Sequence, residues 1–138
     1  MNKVSDDNRC FACGKENPIG LKLDFTVEGG DTVSRLNFHR NFAGWENMVH
    51  GGILSTVLDE VMVKSAAGNG YVCVTAELNV RYKKPCQTER DYILRGRVKE
   101  VHKRLIFTEA EILDDSGALV VSGQGKLFLV DTVENLKK

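Results

Sequence analysis

The chain has 138 residues and a mass of 15.4 kDa, the size of one domain with little room for a second packed core. Nineteen lysines and arginines balance nineteen aspartates and glutamates, so no net field draws the protein to nucleic acid or to an anionic membrane surface. With 42% hydrophobic and 28% charged residues it is not a disordered chain, and its longest apolar runs, at 119–121 and 127–130, fall far short of the roughly 18 residues of a membrane span.

The opening Met1-Asn2-Lys3-Val4-Ser5-Asp6-Asp7 is polar and lacks the apolar core of a secretory leader, which points to a cytoplasmic protein. Cys10 and Cys13 then form one Cys-x-x-Cys unit, while Cys73 and Cys86 stand alone in sequence that reads as strand. Structural zinc needs two more ligands, and the spacings to those cysteines or to His39, His50 and His102 match no standard pair. A thioredoxin-like role needs a helix after the pair, whereas Gly14 and Asn17-Pro18 mark a turn. The plain expectation is two buried or loop thiols in a reducing compartment, with no metal.

Residues 21–27 alternate, Leu21, Leu23, Phe25 and Val27 against Lys22, Asp24 and Thr26, and predict a strand. Gly29-Gly30-Asp31 turns it into a second strand over 32–39, with Leu36 and Phe38 on one face. Residues 40–49 have no clean period and read as an ordered loop in which something packs on Trp45.

The spacing of Ile53, Leu54, Val57, Leu58, Val61 and Met62 predicts a helix over 51–67, stopped by Gly68-Asn69-Gly70. Strands follow at 71–83, 91–101, 105–113 and 118–130, the last two joined by the turn Asp114-Asp115-Ser116-Gly117. In the first of these, Val72, Val74, Ala76, Leu78, Val80 and Tyr82 are expected on the buried side and Thr75, Glu77, Asn79, Arg81 and Lys83 on the other. Arg95, Arg97 and Lys99 mark a wet face, and Gly123 and Gly125 let a helix approach the last strand. Two strands, one long helix and four strands make a two-layer α+β domain with a mostly antiparallel sheet.

The helix carries a second face of Gly52, Ser55, Thr56, Asp59, Val63 and Ala66 that is small and not charged, so it rests against something, and a partner subunit is the natural candidate. Asp59 has no cation three or four positions away, whereas Glu60 has Lys64 and reads as half of a surface pair. His50-Gly51-Gly52 stands at the helix start, where free backbone N–H groups and the positive end of the dipole suit a carbonyl oxygen gaining negative charge; a tight loop-to-helix turn is the plainer reading. His50 and Asp59, nine positions apart, lie two and a half turns from each other. They share a pocket only if two chains pair their small faces.

The stretches His50-Gly51-Gly52-Ile53-Leu54-Ser55-Thr56-Val57-Leu58-Asp59-Glu60 and Thr75-Ala76-Glu77-Leu78-Asn79-Val80-Arg81-Tyr82-Lys83-Lys84-Pro85 resemble the hotdog-fold acyl-CoA thioesterases, in particular the branch that includes phenylacetate-pathway thioesterases. The likeness spans roughly residues 20–130, and the opening Cys10-Phe11-Ala12-Cys13-Gly14 with Asn17-Pro18 and Gly20-Leu21 is similar to a signature of one subset. It implies a single hotdog domain over 1–138, with 1–19 as an N-terminal loop segment, assembled as a homodimer or a dimer of dimers. It also implies hydrolysis of acyl-CoA without a cofactor. A backbone N–H of Gly51 or Gly52 would polarise the thioester carbonyl, Asp59 of the neighbouring subunit would serve as general base or nucleophile, Thr75 would help hold water, and His50 would orient the thioester.

Some relatives place an asparagine six residues before the histidine, where this chain has Gly44; Asn47 and Asn41 stand nearby as substitutes. Arg81, Lys83, Lys84 and Arg40 are candidates for the phosphates of coenzyme A, and Trp45, Phe42 and Met62 for the acyl pocket. Dehydratases of the same fold use a differently arranged histidine and acid, and a non-catalytic acyl-CoA sensor is the alternative that Gly44 leaves open.

Overall fold

The turn Gly29-Gly30, with φ of +59° and +85°, takes a conformation that side chains disfavour, and it closes the hairpin of β1 (Thr26–Glu28) and β2 (Asp31–Asn37). In the computed structural model, which describes residues 4–136, the hairpin is followed by α1 (Gly51–Gly68), β3 (Tyr71–Tyr82), β4 (Asp91–His102), β5 (Leu105–Asp114), β6 (Leu119–Thr132) and a short α2 (Val133–Leu136). The first three residues of the polar opening lie outside the described residues. The strands form one antiparallel sheet in the order β1-β2-β4-β5-β6-β3, and α1 lies across one face of it. This is the expected two-layer α+β arrangement.

The helical stripe buries as its spacing predicts: Val57, Leu58, Val61 and Met62 are fully buried and Leu54 nearly so, packed with Leu94, Ile112 and Val121 of the sheet. Glycines set how close the helix comes. A Cβ on Gly96 would stand 2.8 Å from Val61 Cγ1, and one on Gly125 3.0 Å from Met62 Sδ, so larger residues there would push α1 off the sheet. Met62 therefore fills the core and does not line an acyl pocket. Ala66, assigned to the small outer face, is also fully buried, in a second cluster with Cys73, Ile106 and Leu127. Among the described residues no helix is long and apolar enough to cross a membrane.

Three expectations about the strands are corrected. Residues 21–25 are not strand: Lys22 takes φ +55°, and the N–H groups of Leu21 and Leu23 donate to the carbonyls of Phe11 and Ala12, so this segment pairs with the cysteine loop and not with the sheet. Cys86 is a buried side chain in an otherwise mostly exposed loop, not in a strand.

The third correction concerns β3. Thr75 pairs with Leu127 and Glu77 with Lys126, so Ala76 is an extra residue, a bulge that reverses the alternation. Before it Cys73 and Thr75 face the helix; after it Leu78, Val80 and Tyr82 do. One strand thus offers a threonine and a tyrosine to the helix that an unbroken period separates onto opposite faces. β3 is also a sheet edge, which is why most of it is exposed in the single chain.

Candidate active site

Asp59 and Thr75 meet where the bulge brings them together: the Thr75 hydroxyl donates to Asp59 Oδ1 at 2.5 Å. The carboxyl is half-buried, and burial pushes its pKa above the ordinary aspartate value; the Thr75 hydroxyl pulls the other way, and the neighbouring Glu60 charge adds a smaller upward push. No ion pair within 4.0 Å joins Asp59 to a cation among the described residues. The carboxylate is thus oriented by a neutral donor and keeps basicity that a lysine or arginine would remove.

At the helix start His50 is the N-cap. Its Nδ1 accepts from the Gly52 N–H at 2.9 Å, which places the proton of a neutral ring on Nε2. Of the two glycine N–H groups read as oxyanion donors, that of Gly52 is therefore occupied, whereas that of Gly51 has no acceptor among the described residues. Tyr82, which the sequence reading placed only in a strand, pins this turn: its hydroxyl donates to the Gly51 carbonyl at 2.9 Å and lies 2.5 Å from the Ser55 hydroxyl.

A shallow cavity beside His50 is lined by Asn41, Phe42, Ala43, Gly52, Ile53 and Thr56; Asp59 is not part of it. Position 44 adjoins this cavity, since a Cβ on Gly44 would stand 3.4 Å from His50 Cα and 3.5 Å from its Cδ2. Of the two asparagines considered as substitutes, Asn41 lines the cavity, while Asn47, at φ +63°, accepts from the Thr88 N–H through its carbonyl. Trp45 is 82% exposed, so nothing in the single chain packs on it.

The basic candidates do not converge. Arg81 is in register with Ser122 of β6 and through it with Glu111 of β5, on the sheet face turned away from α1. Lys83 is exposed, Lys84 pairs with Asp114 at 3.5 Å, and Arg40 pairs with Glu89 at 3.5 Å. Glu60 is not paired with Lys64 within 4.0 Å; it accepts from the Cys10 thiol at 3.1 Å, a contact across fifty positions that no local pattern announces.

Within one chain, then, the sequence-derived site falls into two halves: His50, Gly51 and Gly52 at the helix start, and Asp59 with Thr75 further along on another face. The two halves supply complementary chemistry, one a free N–H donor at a helix N-terminus and the other an oriented base.

Residues 46–121 match the family model described as Thioesterase superfamily. The acyl-coenzyme A thioesterase THEM4 of Mus musculus is 30% identical over 81 residues, 59% of this chain and 35% of that protein, so the match spans little more than a third of the mouse protein's length. The E. coli PaaI protein from the phenylacetic acid degradation operon is similar in structure, with TM-score 0.74 and 17% identity over 81% of this chain and 82% of that one. A hypothetical thioesterase protein of Streptococcus pneumoniae, solved with coenzyme A, has TM-score 0.74 and 16% identity over 80% of this chain and 87% of its own. Two structures of a hypothetical thioesterase protein of Streptococcus pneumoniae carry single alanine replacements, one of an aspartate and the other of a threonine.

Proposed function

The chain belongs to the thioesterase superfamily, whose hotdog fold it has, and on that premise we propose that it hydrolyses acyl-CoA thioesters at sites shared between two subunits. The observation that carries this reading is the Asp59–Thr75 pair, a half-buried carboxylate with raised pKa and a hydroxyl as its only hydrogen-bonding side-chain partner among the described residues. The similarity to an acyl-coenzyme A thioesterase and to a protein solved with coenzyme A supports the substrate class. The four free thiols fit a cytoplasmic setting.

In the proposed reaction the thioester carbonyl sits at the start of α1, its oxygen on the Gly51 N–H. Water is deprotonated by Asp59 of the other subunit and attacks the carbonyl carbon; the tetrahedral oxyanion is held by Gly51 and the helix dipole. Collapse breaks the C–S bond, and Asp59 returns its proton to the departing thiolate, leaving a carboxylic acid and free coenzyme A. His50 fixes the turn through Gly52 and keeps its Nε2–H as a second donor. Asn41 takes the water-positioning place that Gly44 leaves without a side chain. The exposed twelve-residue edge of β3, which ends beside the helix start and passes Asp59, supports a two-fold pairing of sheets that brings the halves together.

Complementation tests the shared site. Proline at helix position N1 removes one N–H and is otherwise tolerated, and the nearest atoms to a Cβ on Gly51 are those of the Tyr82 ring, at an ordinary contact distance of 3.7 Å. Gly51→Pro and Asp59→Asn are each expected to abolish most release of coenzyme A, measured by chromatography over short, long and aromatic acyl-CoAs. Phenylacetyl-CoA belongs in that panel. Mixed dimers of the two variants hold one intact site and regain activity. Two dead variants that stay dead when mixed place both groups in one chain; a wild type that binds every thioester and cleaves none is the sensor of the same fold.

A further inference from the structure

We propose that Cys10, Cys13 and Glu60 form a binding site for zinc, which staples the N-terminal loop to α1 one residue from Asp59. The three ligand atoms lie within 4.8 Å of one another, and the Cys10 thiol already donates to Glu60 Oε2 at 3.1 Å. Two thiolates and a carboxylate oxygen are three of the four donors of a tetrahedral zinc site. The fourth position goes to water, which the half-buried thiols leave within reach.

The loop that carries the cysteines is built before any ion arrives. The Gly14 N–H donates to the Cys10 carbonyl at 2.8 Å, folding the chain so tightly that a Cβ on Gly14 would lie 2.4 Å from the Cys10 nitrogen. Only glycine fits directly after the second cysteine. The Asn17 side chain donates to the Arg9 carbonyl at 3.0 Å, the Glu16 N–H to the Asn8 carbonyl at 3.0 Å, and the Leu21 and Leu23 N–H groups to Phe11 and Ala12. Ala12, between the thiols, is buried. A loop with this much cross-bracing, aimed at one carboxylate, is more structure than two idle thiols require.

Charge supports the same reading. Without a cation, Glu60 has only a thiol as its donor, and a thiol is a weak donor to give a half-buried carboxylate. A divalent ion inverts this: both thiols release their protons to solvent and become ligands, and three negative groups meet two positive charges. Lys64, which stands beside Cys13 and Glu60, offsets the remaining negative charge. Glu60 escapes the sequence pattern because the third ligand comes from fifty positions away and is a carboxylate, whereas spacing rules look for histidine or cysteine.

The test uses untagged full-length protein purified under reducing conditions and does not rely on thioester turnover. Titration with Co2+ should give a thiolate-to-cobalt charge-transfer band saturating at one ion per chain, displaced by Zn2+. The band is lost in Cys13→Ser, and affinity falls at least tenfold in Glu60→Gln. In the wild type alone, Zn2+ should protect Cys10 and Cys13 from an alkylating reagent while leaving the labelling of Cys73 and Cys86 unchanged, a readout that needs no variant to fold. Reduced wild type without a charge-transfer band at tenfold excess cobalt overturns the proposal, as does a band that survives in Cys13→Ser or an unchanged affinity in Glu60→Gln.

Discussion

On the sheet face turned away from α1, Arg97 gathers three carboxylates: Asp31 at 2.9 Å, Glu109 at 3.1 Å and Glu111, with Arg95 adding a contact to Asp31 at 3.5 Å. On the face turned toward α1, Asp59 has a hydroxyl and no cation. Both groups are partly withdrawn from water, yet they shift in opposite directions. The Arg97 guanidinium holds the Asp31 carboxyl below the ordinary aspartate value, while burial raises Asp59 above it. The first arrangement makes acids inert and ties β2, β4 and β5 together; the second keeps one acid basic at the expense of stability.

The largest effect that separates the two is expected at Asp59→Asn. The amide keeps the shape and still accepts from Thr75, so the fold should survive while turnover of acyl-CoA falls at least a hundredfold, about 3 kcal/mol of barrier. Equal turnover in variant and wild type would remove Asp59 from the chemistry. Next comes Arg97→Met, which strands three carboxylates; urea unfolding should show a loss of about 2 kcal/mol with turnover within twofold of wild type. A variant as stable as wild type would show that these ion pairs are solvated decoration. The Arg97 side chain is only 27% exposed, which argues otherwise.

These two acids were not equally legible in the sequence. The helix period set Asp59 apart from the apolar stripe and showed that nothing cationic stood three or four positions away, so the candidate came from local geometry. Its partner Thr75 did not, because the bulge at Ala76 changes which face of β3 meets the helix, and a one-residue insertion leaves no mark in an alternating sequence. Tyr82 was expected on the buried side and lies there; what the sequence did not show is that its hydroxyl reaches Gly51 and Ser55. Arg97 read as a wet-face charge since its three partners sit on other strands, and register is not written in any one of them. The hairpins and the close helix approach at Gly123 and Gly125 were legible because turn glycines and strand glycines act locally; Gly96, which meets Val61, went unnoticed. Where the sequence misled, at residues 21–25, a clean alternation was overruled by carbonyls of the cysteine loop offering those N–H groups another partner.

Thr75→Ala sharpens the contrast at a smaller scale. The hydroxyl both orients the Asp59 carboxylate and favours its charged form, so its loss should lower turnover about tenfold and move the acid limb of the pH–rate profile to higher pH. Thr75→Ser restores the donor and should recover both. An alanine variant that loses turnover while its acid limb stays in place would mean that Thr75 holds water and does not tune the base.

The smallest effect is the pH dependence of stability, and here the two faces should differ in sign. Asp31 is depressed in the folded state, so its contribution is present above the unfolded aspartate value near 3.8 and is lost as pH falls through the lower folded value. Asp59 is raised, so its contribution favours the folded state only at low pH and is lost as pH rises through the elevated value. Thermal unfolding from about pH 3 to 7 should therefore show Asp31→Asn falling further behind wild type as pH rises, while Asp59→Asn gains on it over the same range. The Asp59 arm is the more telling one, because an asparagine that stabilises the fold while removing turnover marks a carboxylate retained for its chemistry. Parallel curves for wild type and Asp59→Asn would mean that the folded protein does not perturb this acid and that burial does not make it a base.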